Sequence, residues 1–141
     1  MTVLVEVKNR SAWVVDEAAA RAAVAATLDA EEAAGEVGVI VVDAAEMAAL
    51  NAAHRGRDEP TDVLSFPLDG REPLPDGVPR QLGDVVVCPE YAARAGTPME
   101  VLLVHGALHL LGYDHESDNG EMQHRQDLLV SEVTPVAVRP S

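Results

Sequence analysis

The chain has 141 residues, 48% of them hydrophobic, enough to bury one core and too few for two ordinary domains, so residues 1–141 read as a single domain. A net charge of −14 excludes loose, sequence-blind attraction to nucleic acid, because that attraction comes from basic side chains neutralising phosphates. DNA is therefore not expected as a partner, and any RNA groove would have to be local and built from arginines such as Arg55, Arg57, Arg71 and Arg80.

Aromatic residues make up only 3% of the chain, so the core must rest on Ala, Val, Leu and Ile, which suits helices packed on a small sheet. The expected class is α/β (α+β). No apolar run approaches the roughly 20 residues of a membrane span, and Met1 to Trp13 lacks a signal-like stretch, so no membrane partner and a cytoplasmic location are expected. The lone cysteine, Cys88, ends the strand-like run from Val85 and reads as a buried thiol rather than a nucleophile.

In chain order, Thr2 to Val7 alternates like an edge strand, and Asp16 to Ala34 is an alanine-rich helix closed by Gly35. Val37 to Val42 is a continuous apolar run, the pattern of a strand covered on both faces. Asp43 with Glu46 resembles a capping box opening a short helix through Met47 and Leu50. After a polar loop, Thr61 to Pro67 contains a strand stopped by proline, Asp69 to Gln81 is an exposed loop, and Leu82 to Cys88 is another strand. Two strands joined by that loop predict an antiparallel hairpin and hence a mixed sheet. The tail from Thr134 reads as frayed or extended.

Thr97-Pro98-Met99-Glu100 is a helix-start signal: Thr97 can cap, proline suits the first position, and Glu100 can close a capping box. From Val101 to Leu111 almost every residue is apolar except His105 and His109, so this helix should be buried nearly all round. Spaced four apart, the two imidazoles stand on one face, one turn above the other, where both could bind one ion. Gly112 can end the helix in a left-handed turn, letting His115 supply a third nitrogen. Each of these histidines alone would read as an ordinary core or surface residue. Three within eleven residues, two of them on an apolar face, predict a metal site. The remaining histidines, His54 and His124, read as solvated.

Three imidazoles leave a tetrahedral ion with one open position, which favours catalysis over structure unless Asp114 supplies a fourth ligand. Zinc suits these donors best, and nickel, copper or cobalt also fits. The same spacing occurs in metzincin proteases, but their general-base glutamate would fall at Gly106, which has no side chain to accept a proton.

The run from His105 to His115, HGALHLLGYDH, resembles the signature of the YbeY family of bacterial metal-dependent endoribonucleases and ribosomal RNA maturation factors. Thr61 to Pro67, TDVLSFP, resembles a second motif of that family, and Leu82-Gly83-Asp84 a third. The resemblance implies a mixed sheet of about four strands surrounded by several helices, with a zinc site on a buried helix and the turn after it. It implies a single-strand-specific endoribonuclease acting in 3′-end maturation of small-subunit (16S) ribosomal RNA and in ribosome quality control, with the ribosome or a ribosomal protein as partner. It also implies a phosphate-binding arginine before Thr61, matched best by Arg55, with Arg57 close enough to leave the assignment open. Asp114 could act as a base or orient an imidazole, or be a turn residue; Ser65 could touch phosphate or only bond a neighbouring strand. Two other readings stand beside the endoribonuclease: a peptidase-like metal hydrolase, and a noncatalytic ribosome-associated protein with structural zinc.

Overall fold

The computed structural model describes residues 2–56, 61–114 and 118–141, with Arg55 described in its backbone only. Strand β1 (Val3–Asn9) and a short β2 (Trp13–Val15) lead to helix α1 (Glu17–Ala30), then β3 (Gly35–Val41), α2 (Ala44–Arg55), β4 (Val63–Pro67) and β5 (Gln81–Val87). Helices α3 (Pro89–Ala95), α4 (Met99–Leu110) and α5 (Glu121–Glu132) follow, and β6 (Val138–Pro140) closes the chain. None of the described helices is long and apolar enough to cross a membrane.

Four strands form one sheet in the order β1-β3-β5-β4. β1 runs parallel to β3 and β3 to β5, while β4 returns antiparallel along β5, the hairpin expected from the long loop between them. The class is therefore α/β (α+β) with a mixed four-stranded sheet, as expected. β2 and β6 make a separate antiparallel pair, so of the two forms expected for the tail, frayed or extended, it takes the extended one and is tied back onto Trp13 to Val15.

Along β3, Val37, Val39 and Val41 are buried while Glu36, Gly38 and Ile40 are only partly so. The run suggests cover on both faces; β3 is fully covered on one and only partly on the other. One face packs Val5, Val37, Val39, Val85 and Val87 against α1 and α4 through Val24, Leu28, Leu103, Ala107 and Leu110. On the other, Met47 of α2 covers only Val42, Leu64, Val86 and Cys88, with Ile40, Phe66 and Tyr91 at its margin. Each fully buried leucine or valine is worth about 1.5–3 kcal/mol relative to exposure, so the α4 face carries most of the apolar stabilisation.

Helix starts depart from the simple capping pattern. Asp43 makes no side-chain cap, and Pro98, expected as the first helical residue after a Thr97 cap, itself occupies the N-cap position of α4. Asp43 Oδ1 instead accepts from the Ala12 N–H, Glu46 pairs with Arg10, and Glu100 accepts from the Val136 N–H. The two sequence boxes are spent on tertiary contacts. At α1 a side-chain cap does form, Asp16 accepting from the Ala19 N–H. Cys88 is buried at the start of α3, and burial pushes its thiol upward, the wrong direction for a nucleophile.

Candidate active site

Helix α4 is buried along Leu102, Leu103, Val104, Gly106, Ala107, Leu108 and Leu110. Val101, His105 and His109 are only partly buried, and at i, i+4 and i+8 they form the stripe that the core leaves open. The two imidazoles meet edge to face with ring centroids 4.7 Å apart. They line a cleft of about 440 Å³ together with Ser65 and its β4 neighbours, Thr61, Asp62, Asp114 and His54.

Both rings are fixed through Nδ1. His109 Nδ1 lies 2.8 Å from the Tyr113 carbonyl oxygen, which can only accept, so Nδ1 carries the proton. His105 Nδ1 lies 2.8 Å from Gln126 Oε1 of α5, again a donor bond from the ring. In the neutral imidazole this tautomer leaves the lone pair on Nε2 of each ring. A metal-ligating histidine ordinarily donates its other nitrogen to an oxygen in this way, so the pair fits a metal by its donor chemistry. Among the described residues no cluster of three or more ligating side chains occurs. The expected third ligand, His115, lies outside the described residues.

The turn that leads toward His115 is held by backbone bonds. After α4, the Gly112 N–H bonds the His109 carbonyl at 3.0 Å and the Tyr113 N–H bonds the Leu108 carbonyl at 3.2 Å, the paired bonds of a Schellman ending. Gly112 adopts φ +99°, a backbone state that side-chain-bearing residues avoid. This is the chain reversal read from the sequence.

Tyr113 is anchored from its far end. Its hydroxyl donates to Glu31 Oε1 at 2.6 Å, and Arg125 of α5 donates to the other Glu31 oxygen. Burial pushes the Glu31 carboxyl upward, but the Tyr113 hydroxyl and the Arg125 guanidinium outweigh it and hold it below the usual glutamate range. The Glu31 bond in turn pushes the Tyr113 hydroxyl upward. Through Arg125 and Gln126, adjacent in sequence, α5 thus supports both imidazoles without supplying a candidate ligand.

Gly106 has a spatial reason beyond the missing base. A Cβ there would overlap a Val85 methyl group and sit 3.3 Å from Ser65 Oγ, so α4 lies on β5 at van der Waals distance. Ser65 donates to the Gly106 carbonyl at 3.2 Å, so its partner is helix α4 and not the neighbouring strand that the sequence suggested as one of its two roles. Asp114 is exposed at the rim of the cleft. Arg55 ends α2 rather than lying in the following loop; its side chain and the alternative, Arg57, lie outside the described residues.

Two further residues take positions that the sequence left open. Asp84 does not join the cleft: it faces the opposite side of the sheet, in a second concavity of about 320 Å³ with Glu6, Lys8 and Glu36. His54 is exposed, as its reading as solvated implies, and in addition stands 4.4 Å from the Phe66 ring and lines the cleft. Its position next to Arg55 was the one available signal. Gln126, Glu31 and Arg125 carried none, since only the fold brings them to α4.

A family model described as Endoribonuclease YbeY matches residues 5–134. The chain belongs to the YbeY endoribonuclease family. Curated proteins named Endoribonuclease YbeY include one from Roseiflexus sp. (strain RS-1), 40% identical over 89% of this chain and 89% of its own length. Another, from Mycolicibacterium paratuberculosis, is 39% identical over 91% of this chain and 82% of its own. The solution structure of TM1509 from Thermotoga maritima matches with a TM-score of 0.56 and 29% identity, covering 94% of this chain and 88% of that one. YbeY membership therefore accords with all three sequence motifs, including the Asp84 motif that lies away from the cleft.

Proposed function

We propose that this protein is a zinc-dependent, single-strand-specific endoribonuclease of the cytoplasm that matures the 3′ end of 16S ribosomal RNA and serves ribosome quality control. RNA cleavage follows the YbeY family. Metal dependence rests on one observation above all: two imidazoles, each with Nδ1 held 2.8 Å from an oxygen, on the open stripe of an otherwise buried helix. His105 and His109 would hold the ion with His115 as third ligand, and nickel, copper or cobalt would fit the same donors. When bound, such an ion supplies Lewis acidity toward a phosphodiester and an attacking oxygen.

The remaining work belongs to the chain. Gln126 and the Tyr113 carbonyl hold the imidazole tautomers, so no reorientation is needed on binding. Arg55 would offset negative charge growing on the phosphoryl oxygens, and Asp114 would accept a proton or orient an imidazole. Docking on a ribosomal protein would supply the local attraction that a charge of −14 forfeits. A peptidase reading is disfavoured because the close contact of α4 with Val85 leaves no room for a glutamate at Gly106. A purely structural zinc is disfavoured by the open cleft in front of the histidines.

The test measures zinc content and cleavage of single-stranded RNA together. Wild type should bind about one zinc per chain, and His109→Ala should lose both zinc and activity. Gln126→Leu should weaken zinc affinity by about 10–100-fold, the usual cost of losing an imidazole's oxygen partner. Arg55→Ala should keep zinc and lose cleavage. Full zinc retention in His109→Ala would sink the site.

A further inference from the structure

The cleft runs over an edge. β4 is the last strand of the sheet, with α4 on one side of it and α2 on the other. His105 and His109 enter the cleft from the α4 side, whereas His54 enters from the last turn of α2. The His54 ring is exposed and leans on Phe66 of β4, centroids 4.4 Å apart and planes tilted by 51°, a geometry that aromatic pairs favour. Phe66 is partly buried against α2, so the pair is seated on the core and presents His54 outward. Nothing in the catalytic reading uses this ring.

We propose that His54 is a nucleobase platform: single-stranded RNA laid over the β4 edge stacks one base on the His54–Phe66 pair while its phosphodiester faces His105 and His109. The proposal rests on the RNA reading above and deepens it. A chain of net charge −14 gains little from general phosphate attraction, so contacts that need no positive field matter to its affinity, and base stacking is one of these. Stacking also explains strand selectivity, because a base must leave its duplex before its face can lie on the His54 ring. What matters is the ring's flat surface and not a proton on it.

The experiment compares wild type, His54→Ala and His54→Phe, all zinc-loaded, for binding of fluorescein-labelled oligoadenylate by anisotropy before cleavage proceeds. A second probe is the same sugar-phosphate chain made abasic. His54→Ala should weaken oligoadenylate binding about tenfold, and His54→Phe should stay within about twofold of wild type. All three should bind the abasic chain alike. Unchanged binding in His54→Ala overturns the platform, and so does a His54→Phe as weak as His54→Ala, an equal loss on the abasic chain, or no binding by wild type. Since binding is read without turnover, a wild type that binds but never cleaves defeats the catalytic reading and leaves the platform standing. A wild type that cleaves while His54→Ala binds just as tightly defeats the platform alone.

Discussion

On the α4 face of the sheet, glycine makes room for a helix; on the opposite face, glycine makes room for a carboxylate. A Cβ on Gly106 would strike the Val85 side chain, itself fully buried, whereas a Cβ on Gly38 would strike only the tip of the Asp84 carboxylate. The first face is packed, apolar and covered by α1 and α4, and it ends in the histidine cleft. The second is covered by α2 and α3 near β4 and opens toward β1 into a concavity of mixed charge. Rigidity under the histidines and latitude under Asp84 follow from that difference.

The contrast breaks most severely at Gly106→Glu, which would restore the protease-like residue beside His105. It forces a carboxylate against Val85 in a close-packed interior, so we expect a loss of about 4 kcal/mol or more, enough to abolish a cooperative melt in a marginal domain. A variant melting at the wild-type temperature would show that α4 does not sit so close on β5.

Glu31→Gln comes next. Glu31 ties the end of α1 to Tyr113 and Arg125, and its carboxyl lies below the usual glutamate range in the folded state. A depressed folded-state value contributes stability that is complete above the unfolded glutamate value of about 4.3 and fades as pH falls through the lower folded value. Wild type should therefore lose stability below about pH 4 more steeply than Glu31→Gln, and the two melting-temperature curves should converge in acid. Parallel curves down to low pH would refute the coupling. Zinc affinity should also fall in Glu31→Gln, because the Tyr113 carbonyl that orients His109 loses its anchor.

The smallest effect belongs to Gly38→Ala. The Asp84 carboxylate can rotate away from the new methyl, so the change should cost under about 1 kcal/mol and leave zinc content and RNA cleavage untouched. A large loss of cleavage there would mean that the two faces are coupled through β3 and β5.

Much of this was legible beforehand because it depends on local rules. The mixed sheet followed from strand patterns and one long loop, and α4 from its apolar density; the reversal at Gly112 followed from a glycine three residues before His115. The errors arose where a polar residue chose a distant partner over a local one. Glu100 looks like a capping residue but bonds Val136, and Asp43 looks like the cap of α2 but bonds Ala12, choices that local spacing does not record.

The sequence by itself determined that His105 and His109 share a helix face, because a four-residue interval closes one turn whatever surrounds it. It also determined the YbeY motifs and the absence of a base at Gly106. Only the tertiary structure decided which nitrogen each imidazole keeps, since that depends on Gln126 and the Tyr113 carbonyl. It alone moved Asp84 to the far face of the sheet and brought His54 to the cleft. Strand alternation sends neighbouring residues to opposite faces, and packing brings together side chains that lie about fifty residues apart in the chain.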